Sequence, residues 1–327
     1  LTACNYGMQF TNTLIPANRN IQTIIGIARW VLLPLTVGFI VYKLLYAYEF
    51  DSLLKSYQSL FKPNYTLLLL AACLMPVNWM LESMKWQKLL SRYENTSLSR
   101  ACAGVLSGVC LSIFTPNQIG DFAGRILQLR QLNKLKGAVV AVVGNTAQMA
   151  VTLVAGMPAL YMLLVNGFEA YSQMFAAVGV LMLMFVFLYL NLSQIYKFFS
   201  SPRIKTYTVV FTDYSRPELL YIFMLSVLRY TIFVAQYMFI LRFYNVNIDV
   251  SDAITCIFAT LCTQAFVPSF LLLELGLRGA SALWFFGMFV SHVYVPGILL
   301  SAYTVWIINL MIPALAGMLV LLKWKIQ

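Results

Sequence analysis

The chain has 327 residues, of which 61% are hydrophobic and 10% charged, with a formal net charge of +11 and a mean hydropathy of +0.79. Soluble domains carry about 25% charged residues, so this composition excludes a water-soluble catalytic domain and predicts an all-α, polytopic integral membrane protein. The basic excess would suggest nucleic acid in a soluble protein. Here the lysines and arginines gather in short loops beside apolar runs, where they read as topology signals and contacts to anionic lipid.

Residues 1–26 are polar and read as an amino-terminal interfacial segment; 27–325 read as one transmembrane domain. The first residue is Leu1, so residues upstream of it are left open. A first span is expected from Ile27 to Ala47, with Arg29 snorkelling to the interface. A second, Thr66 to Trp86, ends in NWMLESMKW. Asn78, Glu82 and Lys85 share one helix face there. That face either lines a cavity or forms an interfacial helix end, with Glu82 and Lys85 paired in headgroup water and Trp79 and Trp86 as belt anchors.

Ala101 to Phe114 is apolar but shorter than the roughly 20 residues a span requires. Thr115-Pro116 stops it, and the polar stretch TPNQIGDFAGR follows. The pattern predicts a re-entrant hairpin over about 101–131; the alternative is a surface loop with Asp121 capping a helix near Arg125. Lys88, Arg92 and Arg100 precede the hairpin, and Arg125, Arg130, Lys134 and Lys136 follow, which places both flanks in the cytoplasm. Gly137 to Val165 then crosses outward, with Asn145 and Gln148 expected to bond a neighbouring helix and Gly156-Met157-Pro158 expected to break it. Tyr171 to Leu190 returns.

Pro217 to Tyr244 crosses again, carrying Arg229 and Gln236 on one face. An arginine at mid-depth costs roughly 3 kcal/mol even on the mild insertion scale, so Arg229 needs an acidic partner or a wet cavity. Residues 252–266 form a second short run, halted at Val267-Pro268-Ser269. Glu274 and Arg278 follow, then an apolar arm from Ala280 to Val293, giving a second hairpin over about 252–293. Pro296 to Leu322 is the last span.

The hairpins correspond. Asn78 precedes Pro116 by 38 residues and Arg229 precedes Pro268 by 39; Asp121 follows its proline by five and Glu274 by six. With basic loops inside, the hairpins enter from opposite faces, the pattern of an inverted repeat with a shared site near the midplane. Asn78, Glu82, Asp121, Arg125, Arg229, Gln236, Glu274 and Arg278 are the candidate substrate-binding set. Guanidinium groups there suit phosphate-bearing or otherwise anionic lipid headgroups, while the carboxylates either hold the arginines when no ligand is bound or bind an amine-bearing headgroup. The structural alternative is that these charges pair only to fix helix packing.

No cofactor or metal site is expected. The single histidine, His292, and six cysteines without a CxxC pair supply no ligand cluster. Nor is there a Walker, GxSxG or HExxH motif, so an enzyme is not expected; an intramembrane enzyme would have Asp121 or Glu274 as base.

NWMLESMKW, TPNQIGDFAGR and PSFLLLELGLRGA together resemble the landmarks of the lysylphosphatidylglycerol synthase transmembrane region, the flippase-like domain family, across roughly Ile27 to Lys325. Glu82 matches the glutamate of the family's second helix. Pro116, Gly120, Asp121 and Arg125 match its first hairpin, with one extra residue before the arginine. Glu274, Leu275, Gly276, Leu277 and Arg278 match its second landmark, except that Gly279 stands where a glutamate is usual and Glu274 where a glycine is. The resemblance implies a multi-pass lipid flippase of the bacterial inner membrane, a stand-alone member without the cytosolic aminoacyl-transfer domain. Its implied partners are membrane lipids, with a membrane enzyme or a second copy of the chain left open and no nucleic acid. The alternative function is a non-transporting partner that presents lipid to a lipid- or glycan-modifying enzyme.

Overall fold

The computed structural model describes residues 57–59, 61–113, 118–130, 132–165, 179–180, 184–192, 209–267 and 271–323, with single positions at 55, 115 and 194. The amino-terminal segment, the span expected from Ile27 to Ala47, most of Tyr171 to Leu190, and Pro116 and Pro268 lie outside the described residues. Within them the protein is all-helical, with no strand.

Helix α1 spans Tyr65–Leu90, with the Asn64 side chain accepting from the Thr66 N–H at 3.1 Å as its cap. Helices α2 (Leu98–Ile113) and α3 (Ile119–Leu127) pack on each other as a hairpin, and α4 spans Lys134–Val165. Helix α5 covers Arg216–Phe243. Its start is fixed by Pro217 in the first turn and by Glu218, which accepts from the Ser215 N–H at 2.9 Å. Helices α6 (Val250–Phe266) and α7 (Leu271–Phe286) make the second hairpin. The last helix comprises α8 (Val295–Trp306), a π-helical turn (Ile307–Met311) and α9 (Ile312–Lys323).

Among the described residues, four helices are long and apolar enough to cross a membrane: α1, α4, α5 and the composite α8–α9. At 1.5 Å per residue the 26 residues of α1 reach roughly 39 Å, more than the hydrocarbon thickness of about 30 Å. Helix α2, with 16 residues, reaches only about 24 Å. Leu69, Met224, Leu315 and Leu319 are exposed on these long helices, as lipid-facing side chains would be.

Two expectations are corrected. Helix α4 runs unbroken through Pro158. Proline interrupts only its own hydrogen bond, and spanning helices tolerate this where neighbouring helices support them. Here α4 is clamped on α6, where a Cβ on Gly156 would stand 2.2 Å from the Cys262 Cβ. The second arm of the later hairpin begins at Leu271 rather than Ala280, so Glu274 and Arg278 lie on a helix, one turn apart, rather than in a loop.

Lipid tails are as apolar as side chains, so helices in a membrane associate by close packing, and small residues permit it. A Cβ on Gly124 would stand 2.2 Å from the Gly108 N, and one on Gly120 would stand 2.2 Å from the Leu111 carbonyl oxygen. The α2–α3 hairpin therefore closes on glycine. Gly317 does the same for α9 on α2, where a Cβ would stand 1.9 Å from the Leu106 carbonyl oxygen.

Helices α1 and α5 pack antiparallel at the centre. At one end Arg92 Nη2 donates to Glu218 Oε2 at 2.5 Å, and at the other the Lys62 N–H donates to Asn245 Oδ1 at 2.9 Å. Around this pair the contacts cross over: α2 packs on α9, and α6 packs on α4. The buried Glu94 accepts from the backbone N–H groups of Arg130 and Leu132, both at 3.2 Å, so the two ends of the α2–α3 hairpin meet beside the end of α1. Nearby, Tyr93 donates to Asp213 at 2.6 Å; burial first, then that carboxylate, raises the phenol above its ordinary pKa. At the opposite end Gly297, in the first turn of α8, lies against Tyr57 and Val246.

Candidate functional site

The centre of the molecule is organised on Glu82. Its face of α1 turns into the protein, and the carboxylate meets three cations: Lys85 Nζ at 2.7 Å, Arg125 Nη1 at 2.8 Å and Arg229 Nη1 at 2.9 Å. Lys85 and Glu82 are each 1% exposed, so they do not sit in headgroup water, and the interfacial reading of this helix end is corrected. The cause is helix α5, whose Arg229 arrives on the same face and needs the carboxylate.

Each arginine is held by more than one partner. Arg125, on α3, donates from Nε to Asp121 Oδ1 at 3.0 Å, and its guanidinium lies 5.7 Å from the Trp86 ring centroid. Arg229 donates from Nε to Asn78 Oδ1 at 2.9 Å and stacks 5.0 Å from the Trp79 ring centroid. Both tryptophans therefore act as cation–π partners rather than as the belt anchors of the interfacial alternative. Asn145 donates to Asp121 at 3.4 Å, the cross-helix role expected of it. Gln148 Oε1 lies 3.5 Å from Arg229 Nη1.

On the other hairpin Arg278 Nη2 pairs with Glu274 Oε1 across one turn of α7, and Nη1 donates to Gln264 Oε1 on α6 at 3.3 Å. Gln264 also donates to Ser281 at 3.2 Å. Arg278 Nε is buried without a hydrogen-bond partner among the described residues. Asp121–Arg125 and Glu274–Arg278 are thus the same device, an acid and an arginine four residues apart on the second arm of a hairpin. They differ in access: the Arg125 side chain is 4% exposed, that of Arg278 18%.

Between α1, α4, α5 and the second hairpin lies a cavity of about 260 Å³. Of the expected set, Asn78, Arg229, Glu274 and Arg278 line it. Glu82, Asp121 and Arg125 sit behind that wall, holding Arg229 and the first hairpin in place. Gln236 is elsewhere: it is buried and donates to the Ala71 carbonyl oxygen at 2.9 Å, joining α5 to α1.

Sequence reasoning missed Asn309. Its amide oxygen accepts from Asn78 Nδ2 at 3.2 Å, and its own NH2 donates to the Val305 carbonyl at 3.1 Å. It occupies the π-helical turn four residues before Pro313. Proline cannot donate to that turn, and widened turns of this kind often mark functional sites. An asparagine four residues before a proline inside an apolar span was the available signal. Gln118, Gln264 and Thr152 were missed as well, and all three line the cavity. Gln118 has a left-handed φ of 56° at the entry to α3.

Among the described residues no cluster of histidine, cysteine and carboxylate side chains could hold a metal ion. Compared with protein-family models and with curated proteins, the chain matches none.

Proposed function

We propose that this protein is a lipid flippase or transporter of the bacterial cytoplasmic membrane that passes a phosphate-bearing headgroup through the central cavity while the acyl chains stay in lipid. The observation that carries the reading is that Arg229 and Arg278, from different parts of the chain, face one cavity among spanning helices. Guanidinium groups at that depth are costly unless they serve a ligand or a pathway, and their planar forks match phosphate oxygens.

The proposal includes two re-entrant hairpins, α2–α3 and α6–α7, related as an inverted repeat. Three observations support it. The ends of the first hairpin meet at the Arg92 end of the central helix pair, whereas the second leaves and rejoins the chain at the Asn245 end. The packing crosses over between halves, α2 on α9 and α6 on α4. The acid–arginine pairs recur at matching places. The sequence resemblance to the flippase-like domain family points the same way.

The test is lipid movement in sealed vesicles reconstituted with the purified chain. Acyl-labelled phosphatidylglycerol and phosphatidylethanolamine would be followed by quenching with an impermeant reductant, with and without a proton gradient. The expected result is accelerated exchange of at least one lipid, reduced tenfold or more by Arg229→Ala and Arg278→Ala in protein that remains folded. No acceleration in any condition, or full activity in both variants, overturns the proposal; lipid binding without movement would favour a presenting partner.

A further inference from the structure

Resting on that reading, we infer that the cavity takes a singly charged phosphodiester whose outer substituent carries hydroxyls and no amine.

The first argument is charge. The network and the cavity wall hold four cations, Lys85, Arg125, Arg229 and Arg278, against three carboxylates, Glu82, Asp121 and Glu274. One positive charge is left over among the described residues. The chain at the two hairpin breaks, residues 114–118 and 267–270, has no ionisable side chain by sequence. An uncompensated charge in a low-dielectric interior is expensive. Only Arg229 and Arg278 of the four reach the cavity; Arg278 is matched by Glu274, so the excess reaches the cavity through Arg229, which shares Glu82 with Lys85 and Arg125. A phosphodiester, with one negative charge, neutralises it. A phosphomonoester carries up to two and overshoots; a zwitterionic headgroup leaves the excess standing.

The second argument is the shape of the hydrogen-bonding surface. Arg278 Nε offers a buried N–H without a partner, beside the cavity that its side chain lines. The rest of the polar wall is carboxamide and hydroxyl: Gln118 and Gln148, Asn78 and Gln264, each of these two already bonded to an arginine and to a second side chain, and the Thr152 and Tyr230 hydroxyls, the latter buried without a partner among the described residues. A carboxamide both donates and accepts, as a hydroxyl does. An ammonium only donates and is best met by carboxylate, and the one carboxylate on the wall, Glu274, would have to be shared with Arg278, which holds its Oε1. Tyr230 and Phe233 add apolar faces against which a polyol ring or chain can lie. The volume, about 260 Å³, is below the range of about 300–1,000 Å³ typical of pockets for drug-sized ligands, so it suits a headgroup and not an acyl chain.

The test is binding to the detergent-purified chain, read by tryptophan fluorescence and by the rise in Tm that a ligand produces. Short-chain dihexanoyl lipids serve as probes. Phosphatidylglycerol and phosphatidylinositol are expected to bind at least tenfold more tightly than phosphatidylethanolamine and phosphatidic acid. Phosphatidylmethanol, with the same charge and no hydroxyls, should bind more weakly than either polyol diester, and Gln148→Leu and Gln264→Leu should each shrink that difference. Deacylated glycerophosphoinositol separates the sources: affinity equal to the lipid's means that the free diester is a ligand in its own right. Equal affinity for all lipids, or tighter binding of the zwitterion or the monoester, overturns the inference. Selective binding without translocation sinks the transport reading and leaves this one standing; translocation without selectivity does the reverse.

Discussion

Arg229 Nε donates to Asn78 Oδ1 at 2.9 Å, and these are the two residues that stand 39 and 38 positions ahead of the hairpin prolines Pro268 and Pro116. In the proposed inverted repeat, counterpart positions that touch each other would lie on the axis relating the two halves. The halves are not chemically equal there. The first contributes an amide and, one turn on, Glu82; the second contributes the arginine that both bind. This asymmetry leaves the Arg125 hairpin locked and the Arg278 hairpin open to the cavity.

Glu82 is the shared counter-ion of three cations, so its loss should be felt more than that of any other carboxylate in the protein. Removing one partner of a buried ion pair costs about 3–5 kcal/mol because the remaining charge stays buried. Glu82→Ala is expected to fall in that range and Asp121→Ala well below it, since Arg125 keeps Glu82 at 2.8 Å. Thermal or denaturant unfolding of both variants in one detergent decides this; equal losses would mean that Glu82 is not the hub.

The α2–α3 hairpin depends on glycine at one point and not at another. Gly124→Ala would drive a Cβ to 2.2 Å from the Gly108 N, against backbone that cannot yield cheaply. Overpacking of this kind costs about 1–3 kcal/mol. Gly104→Ala, on α2, meets nothing nearer than 3.4 Å, and should be neutral or gain up to about 1 kcal/mol from helix propensity. Comparison of the two midpoints tests the packing, and similar behaviour would refute it.

Sidedness can be read with introduced cysteines and a membrane-impermeant maleimide. Asn95, Asn133 and Asn247 are all exposed. With re-entrant hairpins, Asn95→Cys and Asn133→Cys label from the same side, the cytoplasm by the distribution of basic residues, and Asn247→Cys from the other. Labelling of Asn95→Cys and Asn133→Cys from opposite sides would mean that 98–127 crosses the membrane and would end the re-entrant reading.

The sequence by itself determined the class. An apolar fraction this high, repeated in runs of spanning length, leaves no other home for the chain, and the ends of α1 and α5 were legible within a few residues because polar and capping residues bound them. Asp121 with Arg125, and Glu274 with Arg278, were legible as pairs because helical spacing alone brings i and i+4 together. What the spacing could not say is which long-range partner each charge would choose. That Arg229 meets Glu82, 147 positions away, that Arg125 is locked while Arg278 faces a cavity, and that Gln236 serves a backbone carbonyl of α1 were decided by the tertiary structure. The reason is physical: in an apolar medium a charge must find its partner wherever the packing of helices places one, and that packing rests on glycine contacts between helices, such as Gly317 on Leu106 and Gly156 on Cys262, which leave no periodic trace in the chain.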